Sequence, residues 1–189
     1  MTVISRSEAS ISFGIDMGKA PVPSRRYAAD ACSVEFRNGE LRFIFAQRSL
    51  DESEFESALV VRLNPMAAHQ FINSMREIKQ PSISQLAERV GEVVRPLETI
   101  SNSKQMISVL ANLASVAVAG FEACIDFYHA SAFAMRSMDT SARNELELEP
   151  VVRVEIRTGL FLALLAALDE VSNLLPKGLE TQEVRNGTA

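Results

Sequence analysis

The sequence predicts an α+β protein made of two related antiparallel β-β-β-α units, with sheets backed by helices and further helices inserted between the units. The first observation is a repeat, because Phe45–Asp51 (Phe-Ala-Gln-Arg-Ser-Leu-Asp) recurs as Phe133–Asp139 (Phe-Ala-Met-Arg-Ser-Met-Asp). The second is that alternating apolar and polar residues, typical of half-buried strands, come before helical apolar stripes in both halves. Together they indicate an internal duplication.

Two further matches flank the repeated string in the same order. Val60–Leu63 corresponds to Val151–Val154, and Ala31-Cys32 corresponds to Ala123-Cys124. Collinear matches at nearly constant separation predict two units of about 90 residues. The predicted organisation is an N-terminal strand and linker (1–26), a first unit (27–80), a helical insertion (81–115), a second unit (116–176) and a flexible tail (177–189).

The N-terminal segment predicts a strand on a tether. Residues 8–17 alternate strictly, with Ile11 and Phe13 on the apolar face, and Pro21 and Pro23 follow in an extended connection. Such a strand can pair within its own unit or with a neighbouring subunit, so Ile11 and Phe13 are candidate contact residues.

The first unit has clear local signals. Asn38-Gly39 predicts a tight hairpin turn between strands at Tyr27–Phe36 and Glu40–Arg48. Phe55–Leu63 alternates as a third strand, and Asn64-Pro65 combines a favoured cap with a first-turn proline to open a helix that extends to Ile78.

The insertion is predicted to be helical. One helix begins at Ser82 or Ser84 and ends near Pro96. A second begins at Ser101 or Ser103 and continues through Leu113, because its apolar residues fit a helical stripe. Residues 116–120 fit either state.

The second unit is predicted to repeat the order of the first. Strands are expected at 121–127, 133–138 and 146–156, the last with a bulge or a sheet edge at Pro150 because proline donates no ladder hydrogen bond. Thr158-Gly159 leads into a helix whose residues 160–168 are nearly all apolar. Such a helix is buried all round, in this chain or in an oligomer, which makes Phe161 a further candidate contact residue.

Composition excludes several classes of function. The chain has 189 residues, is 47% hydrophobic and carries a net charge of −5, with basic residues scattered singly, which argues against nucleic-acid binding. No apolar run reaches the length of a membrane span, and no secretory signal is visible. Two cysteines do not make a disulfide framework, so we expect a cytoplasmic protein.

The residues that could carry chemistry favour structural roles. Cys32 and Cys124 occupy matching positions in the repeat, and we expect both to be core residues rather than nucleophiles. Cys124, Asp126 and His129 resemble a metal-binding string, but zinc needs more convergent ligands, so neither a metal nor a cofactor is predicted. A Cys32–His69 pair keeps a thiol enzyme open as the alternative.

Two other groups of polar residues, one acidic and one basic, are candidates for a functional role. The glutamates of residues 52–56 and 145–149 have the period of a solvated strand edge rather than of a catalytic pair. Arg48 and Arg136, in the repeated string, either satisfy the nearby Asp51 and Asp139 or form two equivalent contact points for a partner.

The hairpin at Asn38-Gly39, the strand Phe55–Leu63 and the helix at Asn64-Pro65 support one resemblance. Residues 27–78 resemble small, uncharacterised bacterial domains of hairpin, third strand and helix, and more distantly the SecB-type export chaperone. That resemblance implies client binding and assembly into tetramers. The duplication and the inserted helices depart from the chaperone pattern.

No catalytic motif is present, whereas apolar strands and helices are abundant. We therefore expect a non-enzymatic interaction or assembly protein (a scaffold, an adaptor or a holdase-like chaperone) that binds a protein partner or itself as a homo-oligomer. The alternatives are a small thiol-dependent enzyme or hydrolase that uses a Cys/His pair, and a ligand-binding module.

Overall fold

The computed structural model describes residues 20–50, 54–77, 96–100, 103–119, 121–131 and 148–175, with single or paired residues between 85 and 94. Eight strands and two helices lie in this part of the chain. In chain order they are β1 (Arg26–Ala28), β2 (Ala31–Arg37), β3 (Glu40–Arg48), β4 (Phe55–Leu63), α1 (Pro65–Glu77), β5 (Ser103–Ala111), β6 (Leu113–Ala119), β7 (Glu122–His129), β8 (Glu149–Arg157) and α2 (Thr158–Ser172).

The strands form two mixed sheets of four, which confirms the α+β class. Sheet I has the order β2-β3-β4-β5 and sheet II the order β1-β8-β7-β6. Three strands of each sheet are antiparallel, and the fourth is parallel to its neighbour: β5 to β4 and β1 to β8. Each sheet therefore contains strands from both halves of the chain, which an organisation into successive units did not predict.

The chain passes between the sheets in very few residues. Ala29 donates its amide hydrogen to Glu155 in sheet II, and the next residue, Asp30, donates to Ala46 in sheet I, both at 2.9 Å. The second passage is at Asn112, between β5 and β6. Its side-chain amide donates to the Ala130 carbonyl oxygen at 2.7 Å and accepts from the Ala130 amide at 2.8 Å.

The hydrophobic core lies between the sheets and beside the helices. Phe43 and Phe45 of β3 contact Phe127 of β7, with ring centroids 5.9 and 6.2 Å apart, and Phe71 of α1 meets Phe43 edge-on at 5.4 Å. Helix α2 packs against β2, β7 and β8, and α1 packs against β3, β4, β6 and α2. We call the sheet faces that carry these rings the inner faces, and the opposite ones the outer faces.

Several local predictions are confirmed. Asn38 and Gly39 have φ angles of 55° and 79°, the positive values that the hairpin turn requires. Asn64 caps α1, since its Oδ1 accepts the Ala67 amide hydrogen at 2.9 Å. At Pro150 the register of β8 against β7 shifts, which is the predicted irregularity.

The predicted helix from Ser101 or Ser103 through Leu113 is wrong, because Ser103–Ala111 form β5 and Leu113 begins β6. The spacing of Met106, Ile107 and Leu110 suggested a buried helical stripe, yet all three are exposed and β5 pairs with β4 along its length. The predicted first strand at Tyr27–Phe36 is in fact two strands, β1 and β2, in different sheets.

Other expectations fall outside the described residues. These are the N-terminal strand at 8–17, the strand at 133–138, the tail after residue 176 and most of the helix at 82–96. The strand at 133–138 holds the second copy of the repeated string, so the duplication stays a prediction.

We expect the core ring of Phe127 to dominate stability, because it is fully buried and contacts both phenylalanines of β3. Phe127→Ala should lower the free energy of unfolding by about 3–5 kcal/mol. The control Phe121→Ala, at a side chain that is 63% exposed, should change it by about 0.5 kcal/mol or less. Urea unfolding measures both, and equal losses would contradict this account of the core.

Candidate functional site

Of the two predicted contact residues that the structure describes, Arg48 and Phe161, Arg48 lies at a surface recess. Its guanidinium pairs with the carboxylate of Glu98, 50 residues along the chain, and lies over the ring of Phe55 at 5.1 Å. Its backbone amide donates to Asp30 at 3.3 Å. The expected partner, Asp51, lies outside the described residues.

A half-open cavity of about 460 Å³ adjoins Arg48. Its polar wall combines Arg48 and Arg157 with Asp30 and Glu98, so the formal charges of these four side chains cancel. The rest of its wall consists mostly of small or apolar residues, which include Cys32 and, in the first turn of α2, Gly159 and Leu160. The cavity can accept a small molecule with both polar and apolar parts.

The expectation of a core position is confirmed for Cys32 and wrong for Cys124, so the two cysteines are not equivalent. Cys32 is 1% exposed on the inner face of β2, beside Phe45. Cys124 lies on the outer face of β7, opposite Glu155, and is partly exposed. The sequence match aligned β2 with β7. In the sheets, however, the strand that corresponds to β2 is β6, because β2-β3-β4 and β6-β7-β8 are the two sets of three antiparallel strands.

Burial holds both thiols in their neutral form. It raises the pKa of Cys32 to about 12, so its thiolate is scarce at neutral pH. Burial also raises the pKa of Cys124, an effect that nearby Arg153 partly offsets. His129 pairs with Glu149 at 3.8 Å. Among the residues that the structure describes, no three side chains are grouped as metal ligands.

A buried ion pair on the outer face of sheet II was missed by the sequence analysis. Arg153 donates two hydrogen bonds to the carboxylate of Asp126, at 2.6 and 2.7 Å. Tyr128 donates to the same carboxylate at 3.5 Å. Asp126 and Arg153 stand opposite each other on β7 and β8, so the pair depends on a register that no local pattern reveals. It ties the two strands together away from the core.

Strand β5, at the edge of sheet I, carries three of the large apolar side chains that are exposed on the described surface. Its register against β4 places Met106 and Leu110 on the outer face and Ile107 on the inner face. These side chains are 57%, 45% and 51% exposed, respectively. The sequence carries almost no period-two signal here, since Ser108 is the one polar residue between Met106 and Ala111, and the spacing of the larger residues fits a helix.

The remaining candidate contact residues are not brought to this surface. Phe161 is 1% exposed and belongs to the main core, so in this arrangement it stabilises α2 and is not available to a partner. Arg136, Ile11 and Phe13 lie outside the described residues. Glu54 and Glu56 are exposed, as expected, but β4 is an inner strand of sheet I and not an edge.

Comparison with known proteins gives no further guide. No family model, curated protein or solved structure matches the chain. The resemblance to the SecB-type chaperone therefore stays a prediction. Within the described ranges, neither helix is long and apolar enough to cross a membrane.

Thiol labelling tests whether Cys32, which lines the cavity, can be reached in the folded protein. At neutral pH a thiol reagent should modify the folded protein once, at Cys124, and should reach Cys32 only after unfolding. Cys124→Ser should therefore abolish labelling of the folded protein, whereas Cys32→Ser should leave it unchanged. Mass spectrometry of the labelled protein measures this, and rapid modification of Cys32 would support the thiol-enzyme alternative.

The ion pair between Asp126 and Arg153 should contribute more to stability than the looser contact that Arg62 makes in sheet I. Arg153→Met should lower the free energy of unfolding by about 1.5–3 kcal/mol, because the largely buried carboxylate of Asp126 loses two hydrogen bonds from a cation. Arg62→Met, on β4 in sheet I, breaks only a looser contact with Glu40 at 3.7 Å and should cost about 1 kcal/mol or less. Denaturant unfolding compares them, and similar losses would contradict a special role for Asp126.

Proposed function

We propose that this is a non-enzymatic interaction or assembly protein that binds polypeptide along the β5 edge of sheet I. The observation that supports this most strongly is that β5 is a nine-residue edge strand with large apolar side chains exposed on both faces. An exposed edge offers unpaired backbone groups to an incoming strand, and flanking apolar side chains add contact area.

Within the part of the chain that the structure describes, the β5 edge lacks the usual features that protect sheet edges. Exposed edges are commonly blocked by proline, bulges, several charges or a very short strand. The sequence of β5, Ser-Lys-Gln-Met-Ile-Ser-Val-Leu-Ala, contains no proline and one charged residue, Lys104. Lys104 pairs with Glu54 of the neighbouring β4 segment at 3.8 Å, so its charge is partly offset.

The other sheet edges are less open. β1 has only three residues, β2 is packed against α2, and β6 contacts α1. On β6 the large exposed side chain is Val118, at 44%. This difference favours β5 as the binding edge.

The energy available at β5 is suited to reversible binding. Fully burying a Leu, Ile or Met side chain contributes about 1.5–3 kcal/mol, so covering three half-exposed side chains contributes roughly half of that each. Backbone hydrogen bonds along the strand add a modest net amount. The sum favours a contact whose strength depends on the apolar side chains.

The duplication belongs to this proposal. Each half contributes three antiparallel strands and a following helix, β2-β3-β4-α1 and β6-β7-β8-α2, and each is preceded by a strand that joins the other sheet. We infer that the halves arose as two copies of one β-β-β-β-α unit. A holdase-like role of the SecB type is compatible with this architecture.

A second candidate function is small-ligand binding in the cavity beside Arg48. The observation that favours it is the cavity's mixed wall of paired charges and apolar surface. The thiol-enzyme alternative is disfavoured by the burial that holds Cys32 neutral.

The proposal predicts that a charge on β5 weakens association. Met106→Lys should raise the Kd by at least about tenfold, about 1.4 kcal/mol, because a lysine at this position opposes strand addition. Met66→Lys is the matched control, since Met66 is likewise exposed, at 60%, but lies on α1 and not on β5. It should leave the Kd unchanged.

Two assays cover the possible partners. Fluorescence anisotropy measures binding to a permanently unfolded, carboxymethylated polypeptide, and light scattering across micromolar concentrations measures self-association. Association in at least one assay that is lost in Met106→Lys and kept in Met66→Lys supports the proposal. No association in either assay, or equal effects of the two variants, would overturn it.

A further inference from the structure

We propose that the strand that binds β5 is the β5 of a second copy of this chain, antiparallel to the first and related to it by a two-fold axis at Ile107. This inference rests on the proposed use of the β5 edge. The pairing would join the two copies of sheet I into one sheet of eight strands.

The faces of β5 restrict the register. A two-fold axis normal to the sheet places the outer face of one copy beside the outer face of the other, so residues of like parity must stand opposite. Even-numbered residues of β5 face outwards and odd-numbered ones inwards. The axis must therefore pass at a residue, and full overlap of Ser103–Ala111 places it at Ile107.

In this register the apolar side chains of β5 cover one another on both faces. On the inner face, Ile107 stands opposite its own counterpart. On the outer face, Met106 stands opposite Ser108 and diagonal to Met106 and Leu110 of the second copy, within reach of long side chains. On each face, therefore, the apolar side chains of one β5 cover the exposed apolar side chains of the other.

Charge favours the antiparallel arrangement. Lys104 is the one charged residue of β5, and a parallel pair in register would place two lysines side by side. In the antiparallel pair each Lys104 stands opposite Leu110, six residues away from the other lysine, or about 20 Å along the strand. The lysine stem can then cover part of the exposed leucine.

Disulfide formation tests the register. In a Cys124→Ser background, Ile107→Cys should form a disulfide-linked dimer under mild oxidation, because directly opposed residues have Cα atoms about 4.5–5.5 Å apart. Cys32 is retained because it is buried and lies three strands away from Ile107 in the same row of sheet I, too far for an internal disulfide.

Three further variants make the test specific. Lys104→Cys alone and Met66→Cys, a surface control, should each remain at least tenfold less cross-linked than Ile107→Cys. Mixing Lys104→Cys with Leu110→Cys should produce a mixed dimer that neither forms alone, as mass spectrometry would show. Met106→Lys should suppress cross-linking of Ile107→Cys, whereas Met66→Lys should not.

The outcomes separate the two proposals. If Ile107→Cys stays monomeric while wild-type protein binds the unfolded polypeptide through β5, the second copy is the wrong occupant and the proposed function stands. If Lys104→Cys cross-links as well as Ile107→Cys, the antiparallel register is wrong. If neither self-association nor polypeptide binding depends on β5, both proposals fail.

Discussion

The passage of the chain between its two sheets is the constraint on which the rest of the fold depends. At Ala29-Asp30, successive amides bond to Glu155 in sheet II and Ala46 in sheet I. At Asn112, the backbone amide donates to Tyr128 at 3.0 Å while the side chain takes both hydrogen-bonding groups of Ala130. Because buried polar backbone groups must be paired, these contacts leave little freedom in how the sheets meet.

The exchange of strands also explains the parallel pairs. β4 and β5 are joined through α1 and the segment after it, which is long enough for the crossover that a parallel pair requires. β5 then continues directly into β6 and carries the chain to sheet II. The aromatic contacts of Phe127 with Phe43 and Phe45 fill the space between sheets that the exchange brings together. Neither sheet is complete without the other half of the chain.

Sequence patterns predicted the local features of the fold and missed the long-range ones. Asn38-Gly39, Asn64-Pro65 and Pro150 act through their own backbone preferences, so their effects were readable. The state of β5 is decided by pairing with β4, some 48 residues away in the chain, and propensity alone cannot supply that information. The same limit applies to the site: Arg48 was recognised, but its pairing with Glu98, the Asp126–Arg153 pair and the exposure of β5 all depend on tertiary register.

The two exchanged strands differ in a way that bears on function. β1 and β5 occupy corresponding edges, each parallel to the last strand of the other half, yet β1 pairs over three residues and β5 over nine. A three-residue edge offers too few backbone groups to hold another strand, and its ends, Arg26 and Ala28, carry no large apolar side chain. β5 keeps the full length of the strand and adds Met106, Ile107 and Leu110. Stability of the exchange does not require those exposed side chains, because Val109 and Ala111 make the contacts with the core. These exposed apolar side chains on a long edge strand are the observation from which we propose that another strand binds there.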